Sequence, residues 1–467
     1  MKINNITYII TICLMFMLAG CDDLIEIDAP NDQLVSQKVF QDTSSINSAV
    51  LGMYTKVANP ERTQGGLGTT TTLFNGLLGD EIRPFNAFLY TEFATNSLLS
   101  NSNFVESYWN YNYKNIYTVN SVIEGLETSN QSKTYIDPLI GEAKFLRALS
   151  YLYLVNGFGP VPLVTQTDLT VTASLPREHV DVIYTQIIQD LEDAIEVLPA
   201  NFEKYGGQRT RATSWAASAL LARVFLYIED WESAFNNANA VIEDTNLFSL
   251  EPDLEKVFLA NSQEGILQFV PAFSSSIWMS STFYPSFSAN YVLRDGLLSS
   301  FEAGDKRRDA WVIDYETQGE IFPHSAKYKR TYSNPSAVEY NQVLRLSELY
   351  LIRAEASMHL GMFQDAVSDI NVVRKRAGLD ALAAPDNQHD LMILIENERN
   401  TELFVEWGHR WFDLKRWPGL NDPSISRAEE ILPDLKGEQW QSTDQLLPIP
   451  QSNIINNPNL VQNPGYN

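Results

Sequence analysis

The chain has 467 residues, with 33 Lys or Arg against 58 Asp or Glu, which gives a formal net charge of −25 at pH 7. A nucleic-acid binder needs a basic face, and so does a protein held on anionic lipid by charge, so this acidic excess argues against both classes. The composition, 44% hydrophobic and 11% aromatic, is that of a globular protein long enough to bury a large core.

Residues 1–20 have the layout of a secretory signal peptide. Lys2 gives a positive start, and residues 6–18 form the apolar run ITYIITICLMFML, followed by the small residues Ala19 and Gly20. Such a run is too short to span a bilayer comfortably and is typical of the apolar region of a signal. No later segment has the roughly 18 uncharged apolar residues of a membrane helix.

The chain has two cysteines, Cys13 and Cys21, and Cys13 would leave with the signal. The stretch LAGC that ends at Cys21 resembles the lipobox of bacterial lipoproteins, in which the cysteine is acylated and becomes the new N-terminus. Ordinary signal cleavage beside an incidental cysteine is the alternative. Acylation of Cys21 would leave no free thiol, which excludes disulfides and thiolate metal sites. Residues 21–36 then provide the acylated cysteine and a polar tether that holds the protein on a membrane without spanning it.

Helical periodicity recurs in two similar pairs of helices, at 212–243 and 344–376. Each unit has a helix, a short turn, and an aromatic residue that opens a second helix with alanine three residues on. Small residues at fixed offsets let two antiparallel helices approach closely, which is the tetratricopeptide arrangement. A shift of 132 positions superposes the two units, matching Ala222 with Ala354, Leu226 with Met358, Trp231 with Phe363, and Ala234 with Ala366.

The rest of the chain divides into further helices and loop-rich stretches. Apolar periodicity predicts helices at 43–57, 104–127, 138–155, 178–197 and 389–406. Three stretches are rich in Gly, Pro, Ser, Asn and aromatic residues, with little helical period: 59–103, 244–342 and 408–467. Their aromatic content argues against disorder. The expected fold is mainly α, a tetratricopeptide-like scaffold wrapped by a loop-rich layer, and GGLG at 65–68 is interpreted as a flexible loop tip.

No arrangement of catalytic or metal-ligating residues is evident. Glu398 and Glu402 lie four residues apart on one helix face, so paired-carboxylate glycoside hydrolysis is considered, but that chemistry needs two carboxyls facing each other across a cleft. An ion-paired helix is the favoured interpretation, with salt-bridge spacing for Glu396–Arg399 and Glu406–Arg410. The five histidines are scattered, and there is no HExxH, GxSxG or phosphate-loop motif. No enzyme activity, metal or cofactor is expected.

Five stretches in order along the chain resemble the SusD/RagB family of lipoproteins from Bacteroidetes-type bacteria. They are EAKFLRALSYLYLVNGFGPVPLV (142–164), VLRLSELYLIRAEA (343–356), DINVVRKRAGL (369–379), IENERNTELFVEWGHRWFDLKRW (395–417) and LLPIPQSNIINNPNLVQNPGY (446–466). The resemblance is weaker at about 60–105 and at 244–342, where members of the family diverge. It implies one intertwined globular unit, divided into an N-terminal SusD-like helical region (37–243), a loop-rich variable segment (244–342) and a C-terminal SusD/RagB region (343–467).

The resemblance also implies a function and a location. Members of the family sit on the outer face of the outer membrane and cap a SusC-like TonB-dependent transporter. They capture an oligosaccharide, or in some members a peptide, and close over the transporter. On this resemblance, Asp22 and Asp23, directly after the acylated Cys21, are the signal for export to the cell surface. An oligopeptide receptor and a scaffold that only docks the transporter remain open as alternatives.

The ligand site is expected in the aromatic loops. A neutral sugar stacks its C–H face on aromatic rings and pairs its hydroxyls with amides, carboxylates and Arg. Segments 80–90 and 273–291 supply such residues, although for any one aromatic residue, packing between loops is the more common role. By position in the family, the candidate contacts are Asp80, Trp278, Tyr284 and Trp311, joined by Arg83 and Phe85. Trp407, Trp411 and Trp417 are assigned to core packing.

Overall fold

The structure is a computed structural model that describes residues 39–58, 66–85, 89–271, 278–285, 290–330 and 338–466. The predicted signal peptide (1–20) and tether (21–36) lie outside the described residues, and with them Cys21, Asp22 and Asp23. The described residues are mostly helical, which confirms the predicted fold class.

The helices, in chain order, are α1 Thr43–Ala58, α2 Gly66–Leu78, α3 Thr91–Ala94, α4 Asn103–Glu127, α5 Lys133–Phe158, α6 Leu169–Thr172, α7 Val180–Val197, α8 Ser214–Tyr227, α9 Trp231–Ile242, α10 Trp278–Phe283, α11 Asp295–Ser299, α12 Lys306–Trp311, α13 Leu346–His359, α14 Phe363–Ala377, α15 Gln388–Leu403, α16 His409–Arg416, α17 Arg427–Lys436 and α18 Gln451–Asn456. The strands are β1 Ile82–Pro84, β2 Gly265–Phe269, β3 Tyr291–Leu293, β4 Val312–Thr317, β5 Glu320–Ser325 and β6 Asn341–Arg345.

The long helices form a stack in which each packs against the next, in the order α4, α5, α7, α8, α9, α13 and α14. The two predicted helix pairs are α8–α9 and α13–α14, and α9 of the first packs on α13 of the second. The alanines that the two units share are fully buried: Ala222, Ala354, Ala234 and Ala366 are each 0% exposed. Small side chains therefore do allow the close helix packing that the repeat pattern predicts.

Local sequence explains where these helices begin and turn. The Thr213 hydroxyl accepts a hydrogen bond from the Ala216 N–H at the start of α8, and the Asp230 carboxylate accepts one from the Ser233 N–H at the start of α9. Both satisfy backbone donors that a helix start leaves unpaired. The turn between the helices of each pair passes through a left-handed backbone, at Glu229 (φ 62°) in the first and Gly361 (φ 77°) in the second.

The strands form three separate two-stranded antiparallel sheets within the described residues, β1–β3, β2–β6 and β4–β5. Four of the six strands and three short helices lie in 244–342, predicted to be loop-rich. The prediction of little helix in 59–103 and 408–467 was wrong in part, because α2, α3, α16, α17 and α18 lie there. The short helices α16 and α18 give too few turns for a visible period, and α2 is buried on every side.

The largest hydrophobic cluster of the described residues extends from Phe40 near their start to Leu460 near their end. It includes Trp407 and Trp411, while Trp417 packs in a neighbouring cluster; all three are at most 3% exposed, which confirms their assignment to core packing. Within the described ranges, no helix combines the length and the apolar character needed to cross a membrane.

Candidate functional site

A cleft of about 210 Å³ opens between α2, the residues before α3, and the segment from α10 to β3. Its walls combine aromatic and aliphatic side chains with neutral polar ones. The residues that line it are Thr69, Thr70, Leu73, Phe74, Leu89, Tyr90, Trp278, Ser281, Thr282, Asn290 and Tyr291. Trp278 is 36% exposed, an unusually high fraction for tryptophan. The cleft thus presents one large aromatic side chain to solvent beside several hydroxyl and amide groups.

The floor of the cleft is α2, in which all 13 residues are buried and none is charged. One face carries Thr69, Thr70, Leu73 and Phe74 into the cleft. The other face packs on the residues after α15, where the Thr72 hydroxyl accepts a hydrogen bond of 2.8 Å from the Trp407 N–H. The interpretation of 65–68 as a flexible loop tip was therefore wrong for 66–68, which form the first turn of this buried helix.

A close approach explains the glycine at the start of α2. A Cβ at Gly68 would lie 2.6 Å from the Asn341 amide nitrogen and 2.8 Å from the Trp407 ring. Distances under 3.0 Å are not found for real Cβ atoms, so only glycine lets the helix lie flat on the indole. The floor of the cleft is thereby held by the core beneath it.

Trp278 is the candidate residue that the structure places directly in the cleft. Tyr284 follows α10, is half-buried, and donates its backbone N–H to the Ser280 carbonyl, but it is not one of the lining residues. Phe85 also lies outside the lining, with its ring against that of Phe322 at a centroid distance of 4.0 Å. The loop residues Asn86, Phe88 and Phe287 lie outside the described residues.

Arg83 points away from the cleft. In the β1–β3 ribbon it is the register partner of Val292, whereas its neighbour Pro84 is the partner of the cleft residue Tyr291. Successive residues of a strand point to opposite faces, and register partners share a face. The exposed Arg83 guanidinium is therefore on the face opposite to Tyr291.

Asp80 and Trp311 do not fit the expected role of ligand contacts. Trp311 is 1% exposed, and its indole N–H donates to the Leu254 carbonyl at 3.0 Å. Its ring also lies 4.8 Å from the Lys327 ammonium, so no face is left for a sugar. Asp80 forms a salt bridge of 2.7 Å with Arg410. Burial raises the pKa of Asp80, but the Arg410 guanidinium outweighs it and keeps the pKa below its ordinary value.

Several residues of the cleft carry no recognisable sequence signal. Tyr90, Asn290 and Tyr291 belong to the two aromatic segments, 80–90 and 273–291, that are predicted to hold the ligand site. The hydroxyl residues Thr69, Thr70, Ser281 and Thr282 were missed, because single hydroxyls on a helix have many structural roles. At a larger scale, the α2 floor and the aromatic walls each lie in a stretch of sequence without charged residues.

The carboxylates of α15 lie in a buried ion-pair network. Arg307 binds Glu398 at 2.7 Å and Glu402 at 3.1 Å, and Arg345 binds Glu402 at 2.5 Å. Burial raises the pKa of Glu398; burial also raises that of Glu402, but Arg376 and Arg345 hold it well below its ordinary value. Such divergence can indicate an acid–base pair. Here both side chains are at most 3% exposed and paired with arginine, which supports the structural interpretation.

The ion partners differ from those predicted by helical spacing. Glu396 pairs with Arg410 and Arg427, and Arg399 pairs with Asp413. Glu406 pairs with Lys327 and Arg345. For Glu406 and Arg410 the reason is that α15 ends at Leu403, so the two are not on one helix. Glu396 and Arg399 are both on α15, but their partners Arg410, Arg427 and Asp413 come from later elements. Val405 (φ 52°) and Trp407 (φ 48°) have left-handed backbones that re-aim the side chains beyond this point.

Two family models match the chain in succession. One, described as "Starch-binding associating with outer membrane", matches residues 27–226, and the other, described as "SusD family", matches residues 319–466. The chain belongs to the SusD family. SusD-like protein P2 of Formosa agariphila is 28% identical over 522 aligned positions that cover 100% of both chains.

Solved structures of the SusD superfamily share the fold. One from Parabacteroides distasonis superposes with a TM-score of 0.77 at 24% identity, covering 91% of this chain and 99% of that one. A laminarin-binding SusD-like protein superposes with a TM-score of 0.75 at 23% identity, covering 91% of this chain and 100% of the other. These likenesses place the helical stack and its surrounding layer in the SusD fold.

Proposed function

We propose that this SusD-family protein captures an oligosaccharide in the cleft between α2 and α10. The observation that carries the proposal is the exposed Trp278 ring beside Thr69, Thr70, Ser281, Thr282 and Asn290. An aromatic ring offers a surface for the C–H face of a pyranose, and hydroxyl and amide groups can exchange hydrogen bonds with its rim. The starch-binding description of one matching family model and the laminarin-binding structural neighbour support a glycan as the ligand.

We place the protein at the outer membrane, held by lipid on Cys21, with Asp22 and Asp23 as the surface-export signal. The family description associates its members with the outer membrane, and the stretch LAGC before these aspartates supports the anchor. From there the protein would deliver its glycan to a SusC-like TonB-dependent transporter. Binding without turnover is the activity we assign, because the paired carboxylates of α15 are held in buried ion pairs.

Calorimetric titration of the purified full chain tests the proposal, in a detergent without a sugar headgroup. The panel contains storage, plant and host glycans together with a peptide mixture. We expect a glycan to bind, and Trp278→Ala to weaken that binding about tenfold, since loss of a stacking contact costs on the order of 1 kcal/mol. Tyr117→Ala is the control, because Tyr117 is 48% exposed on α4 and is not among the residues that line the cleft.

The outcomes separate the alternatives. Glycan binding that depends on Trp278 but not on Tyr117 supports the proposal. A peptide that binds while every glycan fails would assign the protein to the peptide-binding branch. No binding by any member of the panel would leave the docking scaffold as the better reading. Cleavage of a bound glycan would contradict the non-enzymatic assignment.

A further inference from the structure

Uncharged side chains line the whole described part of the cleft. Every described lining residue is Thr, Ser, Asn, Leu, Phe, Tyr or Trp. This is unusual for a surface cleft in a chain of which 19% is Asp, Glu, Lys or Arg. A carboxylate or sulfate placed in such a site would lose water without gaining a cation, which costs far more than burying a hydroxyl.

The sequence extends this observation beyond the lining residues. Each of the three segments that form the walls belongs to a stretch without a single Asp, Glu, Lys or Arg: 63–79, 84–91 and 265–293. The last of these is 29 residues long and contains seven serines and seven aromatic residues. The uncharged character of the cleft is therefore a property of whole segments.

Among the described residues, the charged ones next to these stretches are directed elsewhere. Asp80 is paired with Arg410, and the Arg294 side chain donates to the Ile82 carbonyl at 3.1 Å. Glu92 accepts a hydrogen bond from the Ser102 hydroxyl. Arg83 is on the face of the β1–β3 ribbon opposite to Tyr291. None of these described side chains supplies a positive charge to the cleft.

The charge of the whole molecule acts in the same direction. The formal net charge of −25 repels a polyanion at low ionic strength and has no effect on a neutral chain. We infer that the cleft selects an uncharged glycan, a polymer of neutral sugars, and discriminates against glycans that carry uronate or sulfate groups. This inference rests on the proposed function and specifies the class of glycan.

A chemically matched pair of ligands tests the inference on the full chain. The first is the neutral glycan that binds in the panel above, and the second is the same polymer after oxidation of its C6 hydroxyls to carboxylates. We expect oxidation to weaken binding at least about tenfold. Binding of the neutral polymer should change less than about threefold between 20 and 500 mM NaCl, because no ion pair is involved.

A gain-of-binding variant makes the cause explicit. Ser281 lines the cleft and is exposed, so Ser281→Lys places a cation there without disturbing the core. This variant should bind the oxidised polymer about fivefold or more tightly than the native protein does, with a salt dependence that the native protein lacks. Tyr117→Lys adds the same charge outside the cleft and should bind the oxidised polymer no more tightly than the native protein.

Two results would overturn the inference in distinguishable ways. If anionic glycans bind the native protein as tightly as neutral ones, and Trp278→Ala abolishes that binding, the selectivity is wrong while glycan capture stands. If neither neutral nor anionic glycans bind at all, the proposed function fails and the inference fails with it.

Discussion

At the scale of single residues, burial separates side chains that the sequence presents as equivalent. Trp278 and Trp311 both lie in aromatic-rich segments, and both were expected to contact ligand. Trp278 is 36% exposed in the cleft, whereas Trp311 is 1% exposed beneath the cations of the ion-pair network. The identity of a residue gives its chemistry, but exposure depends on packing between segments far apart in the chain. The sequence therefore predicts which segments bring aromatic residues to the site better than it predicts which rings line the cleft.

Glu81 provides a residue-scale prediction about pH. One carboxylate oxygen accepts a hydrogen bond of 2.7 Å from the Val405 N–H, and the other has no hydrogen-bond partner in the described structure. The pKa of Glu81 is raised from 4.5 to about 8, mainly because the side chain is buried and also because Asp80 lies nearby. The hydrogen bond from the Val405 N–H and the charges of Lys327 and Arg410 lower the pKa but do not outweigh burial.

The raised pKa of Glu81 makes the folded state bind a proton that the unfolded state releases between pH 4.5 and 8. The free energy of unfolding therefore falls with rising pH across this window, by a total on the order of 4 kcal/mol from this group. Glu81→Gln removes the titration while keeping an acceptor for Val405. We expect the variant and the native protein to be similarly stable near pH 4.5, and the variant to be increasingly more stable toward pH 8.

Urea denaturation at a series of pH values measures this difference. Glu232→Gln is the matched control, because it removes the same charge from an exposed position on α9. A constant difference between Glu81→Gln and the native protein would show that Glu81 ionises normally in the folded state.

At the scale of elements, helices with one buried face were predicted with close bounds, whereas α2, which is buried on all sides, was missed. The structure confirms the predicted helices at 43–57, 104–127 and 178–197 to within about two residues at each end. Their alternating apolar and polar faces produce the 3.6-residue period. In contrast, α2 has no polar face to produce a period, and its threonines and glycines resemble a loop. The end of α15 was predicted three residues too late. The left-handed backbone at Val405 could not be foreseen from the sequence, because β-branched residues rarely adopt a positive φ.

The packing of α2 gives an element-scale prediction from two helical glycines. A Cβ at Gly68 would overlap Asn341 and Trp407, while a Cβ at Gly52 on the exposed face of α1 would meet no atom within 4 Å. Gly52→Ala should raise the free energy of unfolding by about 0.5–1 kcal/mol, from helix propensity alone. Gly68→Ala should lower it by about 1–3 kcal/mol, because the overlap outweighs the same gain.

Chemical denaturation of both variants measures these changes, and glycan titration provides a second readout. Displacement of α2 by the new methyl group should also weaken binding in Gly68→Ala, because Thr69 and Thr70 move with the helix, whereas Gly52→Ala should bind normally. A stabilising effect of Gly68→Ala would mean that α2 does not lie against the Trp407 ring.

At the scale of the whole molecule, the two matched family regions share one core. The hydrophobic cluster that begins at Phe40 contains residues of both regions and continues to Leu460. The last segment of the chain returns to α5, where the Leu447 N–H donates to the Gly157 carbonyl at 2.8 Å. The Asn463 amide bridges the Phe158 and Leu447 carbonyls. These contacts favour the predicted single intertwined unit over separate domains.

The shared core predicts that the protein unfolds as one cooperative unit despite its length. Chains of this size commonly divide into domains that unfold separately, but here removal of the C-terminal segment would expose the end of α5 in the N-terminal region. Far-ultraviolet circular dichroism and tryptophan fluorescence should therefore report one coincident transition in guanidinium chloride. Arg177→Ala should shift both signals together, because Arg177 binds the Val461 carbonyl at 2.6 Å and the Phe158 carbonyl at 3.1 Å. Two separated transitions, with only the first one moved by Arg177→Ala, would instead show that the two regions are energetically independent domains.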